Sequence, residues 1–283
     1  MEKPLVSVIV PAYNEEENIG RFVESVNKQT YKNVQILVVD DESKDKTRGV
    51  AKKAGAIVFA REHAERSVQR NFGAKKSKGE YLMILDADME LTPKVIEDCV
   101  ATAKKGDYKL LVVPEKTVGE GFTQKVRRFE REMYVGDLTV EVARFFDRRV
   151  FFEFGGYDPE LTGPEDYDLP YRMSKKYQVG RAKEYISHHE AGRGVWVLMK
   201  RKYKYAKEGA NYSQKHPELV ATQGNLLFRK AYLRHWRKFL REPVLGFSFV
   251  VIRILETMAA VIGFISAVGV IGFVKTFWRM ILK

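Results

Sequence analysis

The N-terminal third of the chain alternates between short apolar runs and segments with helical periodicity. The apolar runs are rich in β-branched residues and end at polar turns, as strands do. Between them, apolar residues recur every three or four positions, which predicts helices. This alternation predicts a mostly parallel, Rossmann-like α/β sheet with helices on both faces. The predicted strands are 4–13, 33–41, 56–60 and 80–88, and the predicted helices are 15–29, 45–55 and 67–79.

The C-terminal region has a different pattern. Residues 244–274 are apolar apart from Arg253 and Glu256, and residues 257–274 carry no charge. At ~1.5 Å per residue this run suffices for one crossing of a ~30 Å membrane core with an interfacial lead-in, or for a shallow re-entrant hairpin. A buried pair of helices is the soluble alternative. The uncharged stretch favours one span over a hairpin, and its glycines favour the membrane over a soluble core.

The net charge of +12 is concentrated just before this apolar run. Residues 200–241 hold twelve Lys or Arg and two Glu, a difference of +10, with aromatic residues between them. Such a stretch suits nucleic acid, anionic lipid or a diphosphate. In residues 228–241 the aromatic and basic side chains fall on different faces of a predicted helix, which is typical of a helix at an anionic membrane surface. A membrane-tethered nucleic-acid-binding protein is the nonenzymatic alternative.

Cysteine content and the N-terminus limit the cellular setting. The single cysteine, Cys99, excludes an internal disulfide and a cysteine-based metal cluster, so a reducing compartment is expected. The first eleven residues lack the long apolar core and cleavage site of a signal peptide. Six basic residues between 229 and 241 precede the apolar run and three follow it. The positive-inside rule therefore predicts a membrane-associated protein with a cytoplasmic N-terminal domain.

Polar and acidic residues follow three of the predicted strands. They are Tyr13 to Glu15, Asp40 with Asp41, and Asp86 with Asp88. In parallel α/β sheets, ligands bind at the carboxyl ends of the strands. Two carboxylates one residue apart at a strand end can hold Mg²⁺ or Mn²⁺ bridging to a diphosphate. The chain has no GxGxxG after the first strand and no GxxxxGK[ST], which weakens dinucleotide and P-loop interpretations, and it lacks the glycine-rich, arginine-containing loop of a sugar nucleotidyltransferase.

Several ordered motifs carry a resemblance to a known family. They are VSVIVPAYNEEENIG, ILVVDDESKDKT, QRNFGAKKSKGEYLMILDADMELTP, VFFEFGGYDPELTGPEDYDLPYRM and HHE followed by a basic run. In this order, over about residues 5–210, they resemble a family 2 glycosyltransferase of the GT-A fold. We therefore expect a GT-A domain at 1–215, a basic amphipathic connector at 216–243 and a membrane-associated helical tail at 244–283.

The resemblance implies a role for each candidate site residue. Pro11, Ala12, Tyr13 and Glu15 would line the base and ribose pocket, and Asp41 would contact the base. Asp86 and Asp88 would hold ribose and a Mn²⁺ or Mg²⁺ ion, with His188 as a further metal ligand; the sequence does not choose between His188 and His189. Asp166, with Glu165 beside it, matches the aspartate of the family's catalytic base motif.

The base motif also bears on the acceptor. A lipid phosphate is already anionic and needs no base, whereas a hydroxyl does. The sequence thus predicts an inverting transferase that moves a sugar from a UDP or GDP donor to a hydroxyl acceptor, possibly lipid-linked or a cell-surface glycan precursor, with no nucleic-acid partner. The alternative within the family is a polyprenyl-phosphate sugar synthase.

Overall fold

The computed structural model describes residues 3–137, 140–161, 165–189, 194–210 and 229–281. The chain forms two compact units, each built from separate segments. Unit 1 comprises residues 1–116, 142–159 and 165–189, and unit 2 comprises residues 117–141, 160–164 and 190–283. The domain boundaries predicted at residues 215 and 243 stay predictions.

The secondary structure alternates strands and helices through unit 1. The strands are β1 (Val6–Ala12), β2 (Val34–Asp41), β3 (Ile57–Arg61), β4 (Tyr81–Ile84), β5 (Met89–Leu91), β6 (Leu110–Val112), β7 (Glu115–Thr117), β8 (Ala143–Asp147), β9 (Val179–Arg181) and β10 (Ile186–His188). The helices are α1 (Ile19–Asn27), α2 (Thr47–Lys53), α3 (Arg66–Lys76), α4 (Val95–Gly106), α5 (Phe122–Met133), α6 (Arg148–Glu153), α7 (Glu165–Ser174), α8 (Val195–Glu208), α9 (Lys230–Arg234), α10 (Trp236–Arg241) and α11 (Pro243–Ile281).

The strands form two sheets. The larger has the order β3-β2-β1-β4-β8-β6-β9, and its first four strands are parallel. Strand β8 runs antiparallel to β4 and to β6, while β9 is parallel to β6. The smaller sheet has the order β5-β10-β7, with β10 antiparallel to β5. This architecture confirms the predicted mostly parallel α/β fold and all seven elements predicted in the N-terminal third.

Alternating side chains of the central strand build a core on each face of the larger sheet. Val8 and Val10 of β1 pack in one cluster with Phe22 of α1, whereas Ile9 packs in the other with Ala74 of α3. All five side chains are fully buried. Because successive side chains of a strand point to opposite faces, one apolar strand supplies both cores.

The predicted amphipathic helix at 228–241 differs from what is observed. The structure has two short helices, α9 and α10, which meet at His235. Tyr232 and Phe239 pack against Phe249, whereas Trp236 is exposed. Phe228 lies outside the described residues. The break separates aromatic side chains that a single helix would have placed on one face.

Helix α11 is the apolar C-terminal element. Its backbone is non-helical at Gly269, where φ is 73°. Within the described residues, Pro243–Thr276 is the one helix long and apolar enough to cross a membrane by length and composition. Many of its large side chains are exposed, Phe247 and Ile271 among them.

A cluster of charged residues is buried where α11 meets α5, both in unit 2. Arg253 of α11 pairs with Glu130 and lies 3.0 Å from Glu256, and Arg127 pairs with Glu256 and lies 2.8 Å from Glu130. Lys202 of α8 lies beside this cluster. Burial, and then the positive charge of Arg253, lower the pKa of Lys202 to about 8 from its ordinary 10.5.

We predict that Lys202→Met raises the melting temperature at pH 7, because folding then brings no third cation to the cluster. The folded pKa lies below the unfolded one, so the unfolded chain binds more protons between about pH 8 and 10.5 and wild-type stability rises over that window. The gain from methionine should therefore shrink at pH 10. Thermal unfolding at both pH values, with the exposed Lys207→Met as control, checks this; an equal gain at both would contradict it.

Candidate active site

Strands β1, β2 and β4 end at one edge of the larger sheet. Ala12 of β1 lies beside Asp40 of β2, and the Leu85 N–H donates to the Ile9 carbonyl at 3.0 Å, which continues the β1–β4 pairing. The residues that follow these strands therefore emerge side by side. The sheet brings Tyr13, Asp41 and Asp86 to the same edge, as the sequence predicted.

The turns after β1 and β2 hold each other in place. Asn14 and Glu42 both have positive φ, at 53° and 64°. The Asn14 N–H donates to the Ser43 hydroxyl at 3.0 Å, and the Lys44 N–H donates to the Asn14 side-chain oxygen at 2.9 Å. Asparagine tolerates this left-handed conformation well. These bonds fix the turn that presents Tyr13 relative to the turn that follows Asp41.

Asp41 is buried and contacts three polar groups. Its Oδ1 accepts from the Ala64 N–H at 2.8 Å and from the Gln69 amide, and its Oδ2 lies 2.8 Å from His63 Nδ1. The exposed ring of Tyr13 lies 5.5 Å from the His63 ring, centroid to centroid. An aromatic pair beside a fixed carboxylate can stack on a flat heterocycle and accept its N–H.

The other predicted pocket residues belong to the same strand end. Pro11 and Ala12 are the last, buried residues of β1. The Glu15 N–H donates to the Thr47 hydroxyl at 2.8 Å, and its carboxylate accepts from Asn18 at 2.8 Å. Glu15 thus sits at the start of the turn into α1, next to the loop after β2.

Arg70 of α3 joins two predicted site segments that are far apart in sequence. Its side chain is fully buried, and its guanidinium lies 2.7 Å from Asp86, 2.5 Å from Asp166 and 3.2 Å from Glu165. Asp86 follows β4, and the other two carboxylates form the first turn of α7. One arginine therefore brings the strand-end aspartate and the predicted base into a single charged group.

Arg144 of β8 makes a second bridge across the same carboxylates. It lies 3.6 Å from Asp86, 3.6 Å from Asp166 and 3.1 Å from Glu115 of β7. Two guanidinium groups thus face four carboxyl groups, including Glu165. Arg66 adds a third positive charge near Asp86 and Glu165, so the positive and negative charges of this group nearly balance.

The charges shift the pKa of the carboxyl groups in opposite directions. Although burial opposes ionisation, Arg70 and then Arg144 hold the pKa of Asp86 well below its usual range. Burial, and then the charge of Asp166, raise the pKa of Glu165. Asp86 is therefore a permanently charged partner of the arginines, whereas the neighbour of Asp166 ionises less readily.

Asp88 and His188 face each other beside this network. His188 Nε2 lies 3.3 Å from Asp88 Oδ1, while Nδ1 lies 3.0 Å from Glu115. The pairing of β10 with β5 sets this contact, because it places His188 opposite Met89. The following residue, His189, contacts Glu90 at 2.8 Å instead. The structure therefore turns His188, and not His189, toward Asp88.

The donors of this pair fit a divalent cation. A neutral imidazole that donates from Nδ1 to Glu115 keeps its lone pair on Nε2, toward Asp88. In metal sites, a carboxylate on one ring nitrogen of a histidine often orients the other nitrogen toward the ion. Within the described residues, no group of three or more His, Cys, Asp or Glu is placed to hold a metal ion. Two protein donors suit an ion that takes its other ligands from diphosphate and water.

Comparison with known protein families gives a match over more than half of the chain. The family model described as "Glycosyl transferase family 2" matches residues 7–157, more than half of the chain. This chain belongs to glycosyltransferase family 2. The matched range includes Asp41, Asp86 and Asp88, and it ends before α7.

Curated relatives match a similar length of the chain. An uncharacterized glycosyltransferase of Rickettsia typhi is 30% identical over 186 residues, which cover 60% of this chain and 58% of that one. The poly(ribitol-phosphate) β-N-acetylglucosaminyltransferase TarP of Staphylococcus aureus is 31% identical over 155 residues, 52% of this chain and 46% of that one. This chain therefore matches about half the length of these relatives.

Solved structures share the fold at low sequence identity. The mannosyltransferase PcManGT from Pyrobaculum calidifontis, in complex with GDP-Man and Mn²⁺, has a TM-score of 0.64 at 16% identity, over 93% of this chain and 88% of that one. TarS 1-349 of S. aureus in complex with UDP-GlcNAc has a TM-score of 0.57 at 18% identity, over 98% and 88%. These similarities confirm the predicted GT-A architecture.

The family motifs did not reveal every residue of the charged network. Arg70, Arg144, Glu115, His63 and Gln69 were not predicted. A signal existed for Arg70, because the buried positions of α3 include Ser67, Arg70 and Ala74, so an arginine occupies the stripe that faces the sheet. In the basic run that follows the HHE motif, Arg193 lies outside the described residues, and Lys200, Arg201 and Lys202 belong to unit 2.

Arg70→Met should lower the free energy of unfolding by about 3–5 kcal/mol, because it leaves Asp86, Glu165 and Asp166 facing one another without their shared cation. Lys75→Met, on the exposed side of the same helix, is the matched control and should change stability by less than about 0.5 kcal/mol. Urea unfolding of the full-length protein gives both values. Similar effects of the two substitutions would contradict the central role of Arg70.

Proposed function

We propose that this chain is an inverting glycosyltransferase that moves a sugar from a nucleotide-diphosphate donor, UDP- or GDP-linked, to a hydroxyl acceptor. One observation carries the proposal: Asp86 at the end of β4 and Asp166 at the start of α7 bind the same guanidinium of Arg70, at 2.7 and 2.5 Å. The residues that bind the donor and the general base must lie close enough for one sugar to contact both. Here both are held by one buried side chain.

The donor binds along the carboxyl edge of the sheet. Tyr13 and Asp41 take the base, with Pro11, Ala12 and Glu15 completing the base and ribose pocket. Asp88 and His188 would hold a divalent ion. Asp86 places a negative charge beside the ribose. Imidazole suits Mn²⁺ better than Mg²⁺. When bound, the ion neutralises charge on the leaving diphosphate.

Asp166 serves as the general base, with Glu165 as its neighbour. The acceptor hydroxyl gives its proton to an oxygen of Asp166 as the acceptor oxygen bonds to the anomeric carbon. The bond from that carbon to the diphosphate oxygen breaks, and its electron pair leaves with the nucleoside diphosphate. Attack opposite the leaving group inverts the configuration. Arg70 and Arg144 orient Asp166 for this transfer, through contacts at 2.5 and 3.6 Å.

The acceptor is a hydroxyl, lipid-linked or part of a cell-surface glycan precursor. TarP, by its name, transfers to poly(ribitol-phosphate), a polymer of polyols. A polyprenyl-phosphate acceptor would not need Asp166, since its phosphate is already anionic. The apolar helix α11 supports association with a membrane. The basic residues that precede it favour a cytoplasmic catalytic domain.

A donor screen tests the reaction class. UDP- and GDP-sugars are added with Mn²⁺, and thermal unfolding and slow donor hydrolysis are measured. A donor at a hundred times its Kd should stabilise the fold by about 2.7 kcal/mol. Asp88→Asn should abolish the Mn²⁺-dependent part, whereas the exposed Asp107→Asn should keep it. No stabilisation by any nucleotide sugar would contradict the proposal, and full donor binding by Asp88→Asn would contradict the metal site.

Asp166→Asn separates chemistry from binding. A base acts in the transition state, so kcat should fall by roughly 10²-fold or more while donor Kd stays nearly unchanged. Steady-state kinetics and donor titration measure the two effects, again with Asp107→Asn as the matched substitution. Wild-type turnover in Asp166→Asn would exclude the base role and favour a phosphate acceptor.

A further inference from the structure

Unit 2 exposes large apolar side chains on several of its helices. They recur at helical spacing along one face of α11, and others lie on α8, α9 and α10. Tryptophans on α8 and α10 are part of the set, and tryptophan is enriched at membrane–water interfaces. The residues on α11 are Val244, Phe247, Val251, Ile254, Met258 and Ile262, and those on the shorter helices are Trp196, Val197, Leu233, Trp236 and Leu240. We call this set the apolar face.

The opposite side of α11 is buried against unit 2. Phe249, Ile252 and Ala259 are buried there, and the first two pack with residues of α5. Arg253 and Glu256 belong to the charged cluster with Arg127 and Glu130. The two charges that interrupt the apolar sequence thus never face the apolar side, and α11 is strictly two-sided between residues 244 and 262.

Helix α8 packs along the same buried side. A Cβ at Gly263 would lie 2.2 Å from the Tyr203 carbonyl oxygen, so the two backbones are in contact there. The Tyr203 hydroxyl also donates to Ser266 at 3.2 Å. Helix α8 therefore accompanies α11 as far as residue 266. It carries five basic residues: Lys200, Arg201, Lys202, Lys204 and Lys207.

This packing makes a crossing unfavourable. If residues 249–266 of α11 spanned the bilayer, they would draw the four exposed cations of α8 into hydrocarbon, at about 2.5–3.5 kcal/mol for each one near the centre. These are Lys200, Arg201, Lys204 and Lys207. Beyond Gly269 the helix direction is broken, and residues 270–281 reach only about 18 Å. That is well short of a hydrocarbon core of about 30 Å.

We infer that unit 2 binds one leaflet of an anionic bilayer, with α11 lying along the interface and no segment of it crossing. The apolar face enters the acyl region, and basic side chains beside it, Arg234, Arg237 and Arg241, meet anionic headgroups. This differs from the single span that the sequence favours. The inference rests on the proposed membrane association and is independent of the proposed reaction.

Cysteine accessibility in sealed inverted membrane vesicles tests the topology. Single cysteines are placed at Lys207 and at Lys275 of the full-length chain, with Cys99→Ser, and are treated with a membrane-impermeant maleimide before and after permeabilisation. A cysteine at the exposed Asp107 in unit 1 reports vesicle orientation. All three should label before permeabilisation. Labelling of the Lys275 position only afterwards would overturn the inference. The labelling does not depend on enzymatic activity.

Vesicle binding tests the contact surface. Purified protein is sedimented with phosphatidylcholine vesicles or with vesicles containing one quarter phosphatidylglycerol. Binding should be at least tenfold stronger to the anionic vesicles. A combined Trp236→Ser, Leu240→Ser, Phe247→Ser variant should lose at least tenfold, whereas Ile57→Ser, at an exposed apolar position of β3, should not. The inference would be wrong if the triple variant bound vesicles as well as the wild type does. It would also be wrong if the protein formed a dimer that buried the apolar face and did not bind vesicles.

Discussion

The candidate site depends on one buried cation. Arg70 has no exposed surface and lies among three carboxylates that come from two distant parts of the chain. A buried guanidinium is favourable only where its charge and its N–H groups are matched, and here Asp86, Glu165 and Asp166 supply that match. The carboxylates depend on the arginine in turn, because without its positive charge they would repel one another. The strand end and the start of α7 are thereby locked to α3.

Because Arg70 binds Asp86, the acidic residues of the site have different contacts. Asp86 is committed to Arg70 and Arg144, which is why its pKa is held low, and it contributes fixed charge. Asp88, two residues further along, is turned toward His188 instead. The antiparallel pairing of β5 with β10 sets that direction, and Glu115 fixes the imidazole from the other side. The proposed metal-binding pair and the proposed base are therefore linked through Glu115 and Arg144.

Unit 2 uses a similar device for a different purpose. Arg127, Glu130, Arg253 and Glu256 neutralise one another where α5 meets α11. Their pairing specifies which side of an otherwise apolar helix faces the protein, because any other rotation would leave charges unpaired in an apolar setting. The remaining side of α11 is apolar and exposed. The charges that look like interruptions in the sequence are thus what orients the helix.

The sequence by itself determined the periodic features. The periodicities of strands and helices predicted the parallel half of the sheet. The rule that ligands bind at the carboxyl ends of parallel strands predicted that Tyr13, Asp41 and Asp86 lie together. Both inferences depend only on neighbouring residues and on chain direction. Tertiary structure alone decided the rest. The partners of Arg70, the orientation of His188 over His189, the break at His235 and the buried side of α11 all depend on contacts between distant segments. The helical stripe of α3 indicates that Arg70 faces the sheet, but its partners follow β4 and begin α7, so only packing could identify the three carboxylates that it binds.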